Sequence, residues 1–310
     1  LDRRSYYSNG KLLITGEYLV LEGALALAIP TIPGQEMLIE EGSKEGILSW
    51  ESHYRGSCWF SAEFSIPEFK VIQSNEAASA SYLESLLLEA KRLSSKNFAR
   101  PSSLNITTTL GFSSDWGLGS SSSLINNLAA FFDVNAYELF FNTQKGSAYD
   151  IACAAASTPI FYRLEKGQPR IEEAVFNPPF KENIAFIYSG QKQDSRQSLS
   201  QFMAKDGFFE FEKGSISEIS REIANTINMN VFRELIDEHE KIMSRVLDLP
   251  TVKETRFSDF PGSIKSLGAW GGDFILATAE IDFIEIISYF STKGLDIVFS
   301  FDDLVLMPRA

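Results

Sequence analysis

The sequence predicts an α+β fold on three observations. Short apolar runs alternate with polar positions through residues 37–73, apolar residues fall at helical spacing from Glu76 to Leu93, and beyond them strand-like and helix-like segments mix without strict alternation. Taken in order, residues 11–15 and 18–21 read as strand, turn and strand around Gly16 and Glu17. Gly42, Gly46 and Gly56 divide 37–73 into a strand meander, and Ala80, Leu83, Leu86, Leu87 and Ala90 mark one face of the helix that follows. The Thr- and Ile-rich segment 104–110 suits a strand. After a Gly/Ser cluster at 111–123, helices are expected to Phe132, over 135–143, and from Asp150 to Ser157, where Pro159 stops the chain before a strand at 160–164. Pro178-Pro179 marks the expected boundary between domains 1–180 and 181–310. The second domain reads as strand 184–188, a helix from Ser195, long helices between 216 and 248, a glycine turn at 268–272, strand 274–279, helix 281–291 and strand 295–300.

A chain of 310 residues with 44% hydrophobic residues and 25 Phe can bury a sizeable core in one large or two ordinary domains. No apolar stretch approaches the ~20 residues that cross a bilayer, and the polar start from Leu1 to Ser8 lacks a secretory apolar run, so no membrane partner and a cytoplasmic location are expected. The absent initiator Met suggests residues before Leu1. A net charge of −13 argues against nucleic acid, which needs a basic surface. An anionic ligand would require local cations, for which Lys11, Lys192, Arg196 and Lys265 are available. Cys58 and Cys153 read as separate buried thiols, and His53 and His239 as too isolated for a zinc site or a Ser-His-Asp hydrolase.

The strongest local signal is Gly117-Leu118-Gly119-Ser120-Ser121-Ser122-Ser123 followed directly by an apolar helix. Glycines let successive N–H groups turn into one space, and the helix start adds unpaired amides and a positive dipole end. The plain alternative is a Ser-capped helix behind a glycine turn. The spacing fits neither a P-loop nor the dinucleotide fingerprint. It resembles the phosphate loop of the GHMP kinases, and other segments follow that family's order. Asn9-Gly10-Lys11-Leu12-Leu13-Ile14-Thr15-Gly16-Glu17-Tyr18 is similar to its opening motif, and Lys265-Ser266-Leu267-Gly268-Ala269-Trp270-Gly271-Gly272-Asp273 to its third. Gly146-Ser147-Ala148-Tyr149-Asp150 resembles the segment carrying the catalytic aspartate, and Ser189 to Ser198 the segment that approaches substrate and phosphate.

The resemblance implies a ribosomal protein S5 domain 2-like N-terminal domain and a ferredoxin-like C-terminal domain, with ATP and Mg2+ as cofactors. Asp150 would then handle the acceptor proton, or else cap the helix after it, and Lys11 would offset phosphate charge. Gly117, Leu118, Gly119, Ser120, Ser121 and Ser122 would hold the nucleotide; Ser120, Ser121 and Glu138 would hold the metal. Glu17, Tyr18, Ser195, Arg196, Gly271 and Gly272 would face a small anionic substrate. The motifs look most like the mevalonate and phosphomevalonate kinases. Mevalonate diphosphate decarboxylases, sugar and homoserine kinases, and a non-catalytic relative stay open, as does a homodimer. Asn9 and Phe112 to Trp116 stand where the family carries Pro-led segments, and Trp270 where it carries a small residue that leaves room, so the substrate is less legible than the reaction.

Overall fold

The structure, a computed structural model, describes residues 3–95, 103–190, 202, 209–268 and 270–308. They form two compact units that interleave along the chain. Unit one comprises Leu1–Gly10, Pro33–Ser114 and Leu118–Ala155; unit two comprises Lys11–Ile32, Asp115–Gly117 and Ala156–Ala310. Pro178-Pro179, expected to part the domains, lies inside unit two.

In unit one, strands β3 (Ile47–Tyr54), β4 (Ser57–Ser65), β5 (Val71–Ser74) and β6 (Leu104–Leu110) join the second half of β2 (Ala26–Glu41) in the order β5-β4-β3-β6-β2. β3 runs parallel to β6, and the other pairs in this series are antiparallel. β1 (Arg4–Leu13) also pairs with β2. β6 shows why the sheet is one-sided: every second residue from Leu104 is buried. Four helices, α1 (Ala77–Leu93), α2 (Ser120–Phe132), α3 (Ala136–Thr143) and α4 (Tyr149–Ala155), supply the rest of the core. Leu83, Leu86 and Leu87 of α1 and Ile125 and Leu128 of α2 pack with Leu48, Trp50 and Ile106 of the sheet. A buried polar clamp orients α2. Ser123 Oγ donates to Gln35 Oε1 (3.0 Å), Asn127 Nδ2 donates to the Gln35 carbonyl (3.0 Å), and Ser8 Oγ donates to Asn127 Oδ1 (2.7 Å).

In unit two, β7 (Ile160–Glu165) pairs with Ala26–Ala28 of β2 and with β8 (Gln168–Glu173). Beyond lie β9 (Ile184–Tyr188), α5 (Glu210–Asn225), α6 (Met229–Leu247), α7 (Val252–Arg256), β10 (Ser263–Leu267), β11 (Phe274–Thr278), α8 (Phe283–Thr292), β12 (Val298–Ser300) and α9 (Phe301–Leu304). The second sheet is antiparallel with order β10-β11-β9-β12. A strand–helix–strand–strand–helix–strand path with the first and third strands central is the ferredoxin-like arrangement expected for this part of the chain. Its core joins Ile187, Ile264, Ile275, Ile286 and Phe290.

Three differences from the sequence reading have physical reasons. Residues 18–21 form no strand: Tyr18 (φ 60°) and Gly23 (φ 88°) bracket a 3-10 turn over Leu19–Glu22. β10 was hidden because a charged residue, Lys265, stands at the centre of five buried positions. β2 runs through Pro30 and Pro33, which read as breaks; both fall between the ladder to β7, ending at Ala28, and the ladder to β6, starting at Gln35. The helix expected from Ser195 lies outside the described residues. No helix among the described residues is long and apolar enough to cross a membrane.

Asn127→Ala leaves the Ser8 hydroxyl without its acceptor and the Gln35 carbonyl without its donor inside the core. It should lower stability by about 2–4 kcal/mol, read as a reduced midpoint in urea unfolding.

Candidate active site

The glycine–serine loop leads into a helix start that no side chain caps. Gly117 (φ 66°) and Gly119 (φ 89°) both take left-handed conformations, and Gly119 is the N-cap of α2. Elsewhere Glu76, Asn135 and Asn228 accept from the first amides of α1, α3 and α6; at α2 no side chain does so. Ser122 and Ser123 instead donate their hydroxyls to the Gly119 carbonyl (2.9 Å each). The first-turn amides of α2 therefore remain for an acceptor from outside, at the positive end of the helix dipole. Ser121 Oγ is engaged by the Tyr82 hydroxyl (2.5 Å) and by Gln144 Nε2 (2.9 Å), while Ser120 is half-buried at the helix start.

Asp150 sits in the first turn of α4, which packs against α2. α4 begins at Tyr149, so Asp150 is within the helix and not its cap; its Oδ1 accepts from the Ile151 amide (3.1 Å). Sequence reasoning missed a neighbour. Burial first, then the nearby Cys153 and Asp150, push the Tyr137 phenol up to about 12, so it stays protonated. Glu138, expected at the metal, is exposed, and its charge acts on Arg92 at the end of α1. Adjacent helical residues point about 100° apart, so Tyr137 and Glu138 cannot both face Asp150.

In unit two, the opening and third motifs meet around a buried ion pair. Lys265 has no exposed surface, and its Nζ donates to Glu17 Oε1 (2.5 Å) and to the Ser266 carbonyl (2.8 Å). Glu240 Oε1 lies 3.7 Å from the same ammonium. His239 Nε2 accepts from the Gly16 amide (3.1 Å), so the ring proton belongs on Nδ1; burial, then the Lys265 charge, hold this imidazole neutral with a pKa well below the usual value. Burial pushes the Glu17 carboxyl up against the opposing pull of Lys265, and pushes Glu240 up to about 8. Thr15 Oγ1 meets Ser220 Oγ (2.6 Å), and a Cβ at Gly16 would come within 2.8 Å of Ala26 Cβ. The Trp270 amide donates to the Tyr18 hydroxyl (2.8 Å). Gly117 also belongs here: a Cβ on it would fall 1.9 Å from Asp273 Oδ2. Gly271 (φ 80°) and Gly272 (φ 39°) turn the chain from β10 to β11, and the Gly272 carbonyl accepts from Ser189 Oγ (2.5 Å). Lys11 is half-buried on β1.

No protein-family model matches the chain, and no curated protein sequence does. Solved structures match over nearly its whole length. The Methanococcus jannaschii mevalonate kinase aligns with a TM-score of 0.74, 15% identity and coverage of 99% of each chain. The Streptococcus pneumoniae phosphomevalonate kinase, solved with phosphomevalonate and AMPPNP, gives 0.70 and 18%, covering 96% of this chain and 99% of that one. The Lactococcus lactis galactokinase complexed with galactose gives 0.66 and 11%, covering 98% and 94%. The fold is that of the GHMP kinases.

Within this GHMP-kinase fold, unit one holds Leu118, Gly119, Ser120, Ser121, Ser122, Glu138 and Asp150, and unit two holds Lys11, Glu17, Tyr18, Gly117, Gly271 and Gly272. Ser195 and Arg196, like Lys192, lie outside the described residues. Two expectations are corrected. Glu17, expected to face substrate, is 3% exposed and turned to Lys265, so it supports its motif from within. Lys265, considered as a cation for an anionic ligand, is committed to that same pair. Trp270, at a position where the family carries a small residue, anchors its indole Nε1 on the Pro250 carbonyl (3.1 Å).

Lys265→Met should cost about 3–5 kcal/mol, because Glu17 would be left as a buried charge without its partner; chemical unfolding measures this. Glu240 carries the opposite kind of information. Its folded pKa of about 8 exceeds the ordinary 4.5, so its contribution to stability is full below about pH 4.5 and is lost as pH rises towards 8. Glu240→Gln removes that titration. The gain in thermal midpoint of the variant over the parent should therefore grow from pH 5 to pH 8 in paired melts.

Proposed function

We propose that this chain is an ATP-dependent small-molecule kinase of the mevalonate branch, transferring the γ-phosphate to a hydroxyl of mevalonate or to the phosphate of phosphomevalonate. The observation that carries the reading is the uncapped start of α2 behind two left-handed glycines, a place where backbone amides lack a partner and an oligophosphate supplies one. The phosphomevalonate and AMPPNP bound by the S. pneumoniae phosphomevalonate kinase support the choice of nucleotide and acceptor class.

The roles follow from each residue's surroundings. Amides from Leu118 to Ser122 bind phosphate oxygens. Lys11 offsets the negative charge of the transferring group, which matters in a chain of net charge −13. Asp150, a half-buried carboxylate, orients the acceptor oxygen and takes its proton. Tyr137, held protonated, is a hydroxyl donor in its neighbourhood. The half-buried Ser120 hydroxyl fits Mg2+, whereas Ser121 is already engaged by Tyr82 and Gln144 and Glu138 faces solvent. When bound, Mg2+ neutralises charge on the β- and γ-phosphates. Tyr18, Gly271 and Gly272, with Ser195 and Arg196, are the residues proposed for the acceptor. The proposed domains are 1–180 and 181–310, in a cytoplasmic enzyme acting as monomer or homodimer.

Asp150→Asn should lower turnover by about 100-fold or more while leaving ATP-Mg affinity largely intact by titration calorimetry. Parental turnover in that variant would remove Asp150 from the mechanism. ADP release from ATP should be fastest with mevalonate or phosphomevalonate in a panel that also holds mevalonate diphosphate, homoserine and sugars. A faster rate with one of the latter reassigns the acceptor, and failure to bind ATP-Mg at all ends the kinase reading.

A further inference from the structure

The outer face of the unit-one sheet assembles a second chemistry from residues the kinase reading does not use. Among the described residues, Glu51, His53 and Cys58 bring one carboxylate oxygen, one imidazole nitrogen and one thiol sulfur within 4.8 Å of one another. Glu51 Oε2 and His53 Nε2 are already 2.9 Å apart.

The convergence has a structural cause. Glu51 and His53 stand two residues apart on β3 and share a face, while Trp50 and Ser52 point into the core. On β4, Phe60 pairs with Ser52, and regular pairing would then set Trp59 against His53 and Cys58 against Tyr54. A bulge intervenes: the register shifts between Ser52 and His53, Trp59 becomes the extra residue, and Cys58 comes opposite His53. The bulge is braced from below, where the buried Ser52 hydroxyl accepts from Trp50 Nε1 (3.0 Å) and Thr108 Oγ1 (2.8 Å).

We propose that Glu51, His53 and Cys58 form a binding site for a divalent cation of borderline-soft character, with Zn2+ the best match. Nitrogen, sulfur and carboxylate oxygen together are the zinc donor set, whereas Mg2+ and Ca2+ take oxygen ligands only. Bond lengths of ~2.0–2.3 Å in a tetrahedron place ligand atoms ~3.3–3.7 Å apart, within reach of a modest inward rotation of exposed side chains. Three protein ligands leave a fourth position for water. Binding exchanges the Cys58 thiol proton for the metal and releases it to solvent, with no change of oxidation state. The cation ties β3 to β4 across the turn at residues 55 and 56. None of the residues assigned to nucleotide or acceptor takes part, so the site stands or falls independently of the kinase reading.

The test uses the full chain, chelator-stripped and free of nucleotide, titrated with Co2+ and then with Zn2+ in competition. One equivalent of Co2+ should bind with a thiolate-to-metal charge-transfer band that Zn2+ abolishes. Cys58→Ser should lose the band, and Cys58→Ser and His53→Gln should each weaken Zn2+ binding about tenfold or more, at least the loss caused by removing an outer-shell partner. Zn2+ should also protect Cys58 from alkylation in the unmutated protein, a readout that depends on no variant folding; Cys153 is buried. No saturable uptake, a Co2+ complex without the thiolate band, affinity unchanged in both variants, or alkylation unaffected by Zn2+ would each overturn the proposal.

Discussion

The Lys265 ammonium, with no solvent exposure, between the carboxyl groups of Glu17 and Glu240 is the constraint on which the second unit is organised. A charge of either sign left alone there would be too costly to keep, so the strand carrying Lys265 and the turn carrying Glu17 must arrive together. Once they do, much else is fixed. Gly16 is seated on His239, Tyr18 receives the Trp270 amide, and the glycine turn between β10 and β11 acquires its position. Replacing the pair with apolar residues of equal volume could leave stability unchanged, which makes register the better explanation for its presence.

The first unit solves a related problem with neutral groups. Gln35 uses its side-chain and backbone carbonyls to hold Ser123 and Asn127, so strand β2 sets where α2 starts. The orientation of the helix is thus decided away from its own N-terminus, which leaves the first-turn amides uncommitted. A serine at the cap would have taken one of those amides; Gly119 cannot.

Much of this was legible in the sequence because the local signals agreed. Helical spacing located α1, β-branched residues located β6, and the glycine–serine run located the start of α2. The failures came where tertiary context overrides local chemistry. Lys265 reads as a surface cation until Glu17, remote in sequence, is seen beside it. Pro30 and Pro33 read as breaks because sequence does not show that β2 changes ladder partners there. Tyr137 could not have been separated from Glu138 without the phase of α3. Cys58 and His53 look unrelated at a spacing that a regular hairpin would place on opposite faces; only the bulge reunites them.

The interleaving of the two units has a consequence for biosynthesis. Every segment of unit one has been synthesised once residue 155 emerges from the ribosome, so its core can close early. Lys11–Ile32 belongs to the other unit and must wait for β-strands and helices made much later. Glu17 meets its counter-charge only after a further 248 residues. Throughout that interval the apolar side chains of Ile14, Leu19 and Val20, buried in the finished protein, have no core to enter. The nascent chain therefore carries a sticky segment near its beginning for most of its synthesis, a stretch suited to capture by a holding chaperone.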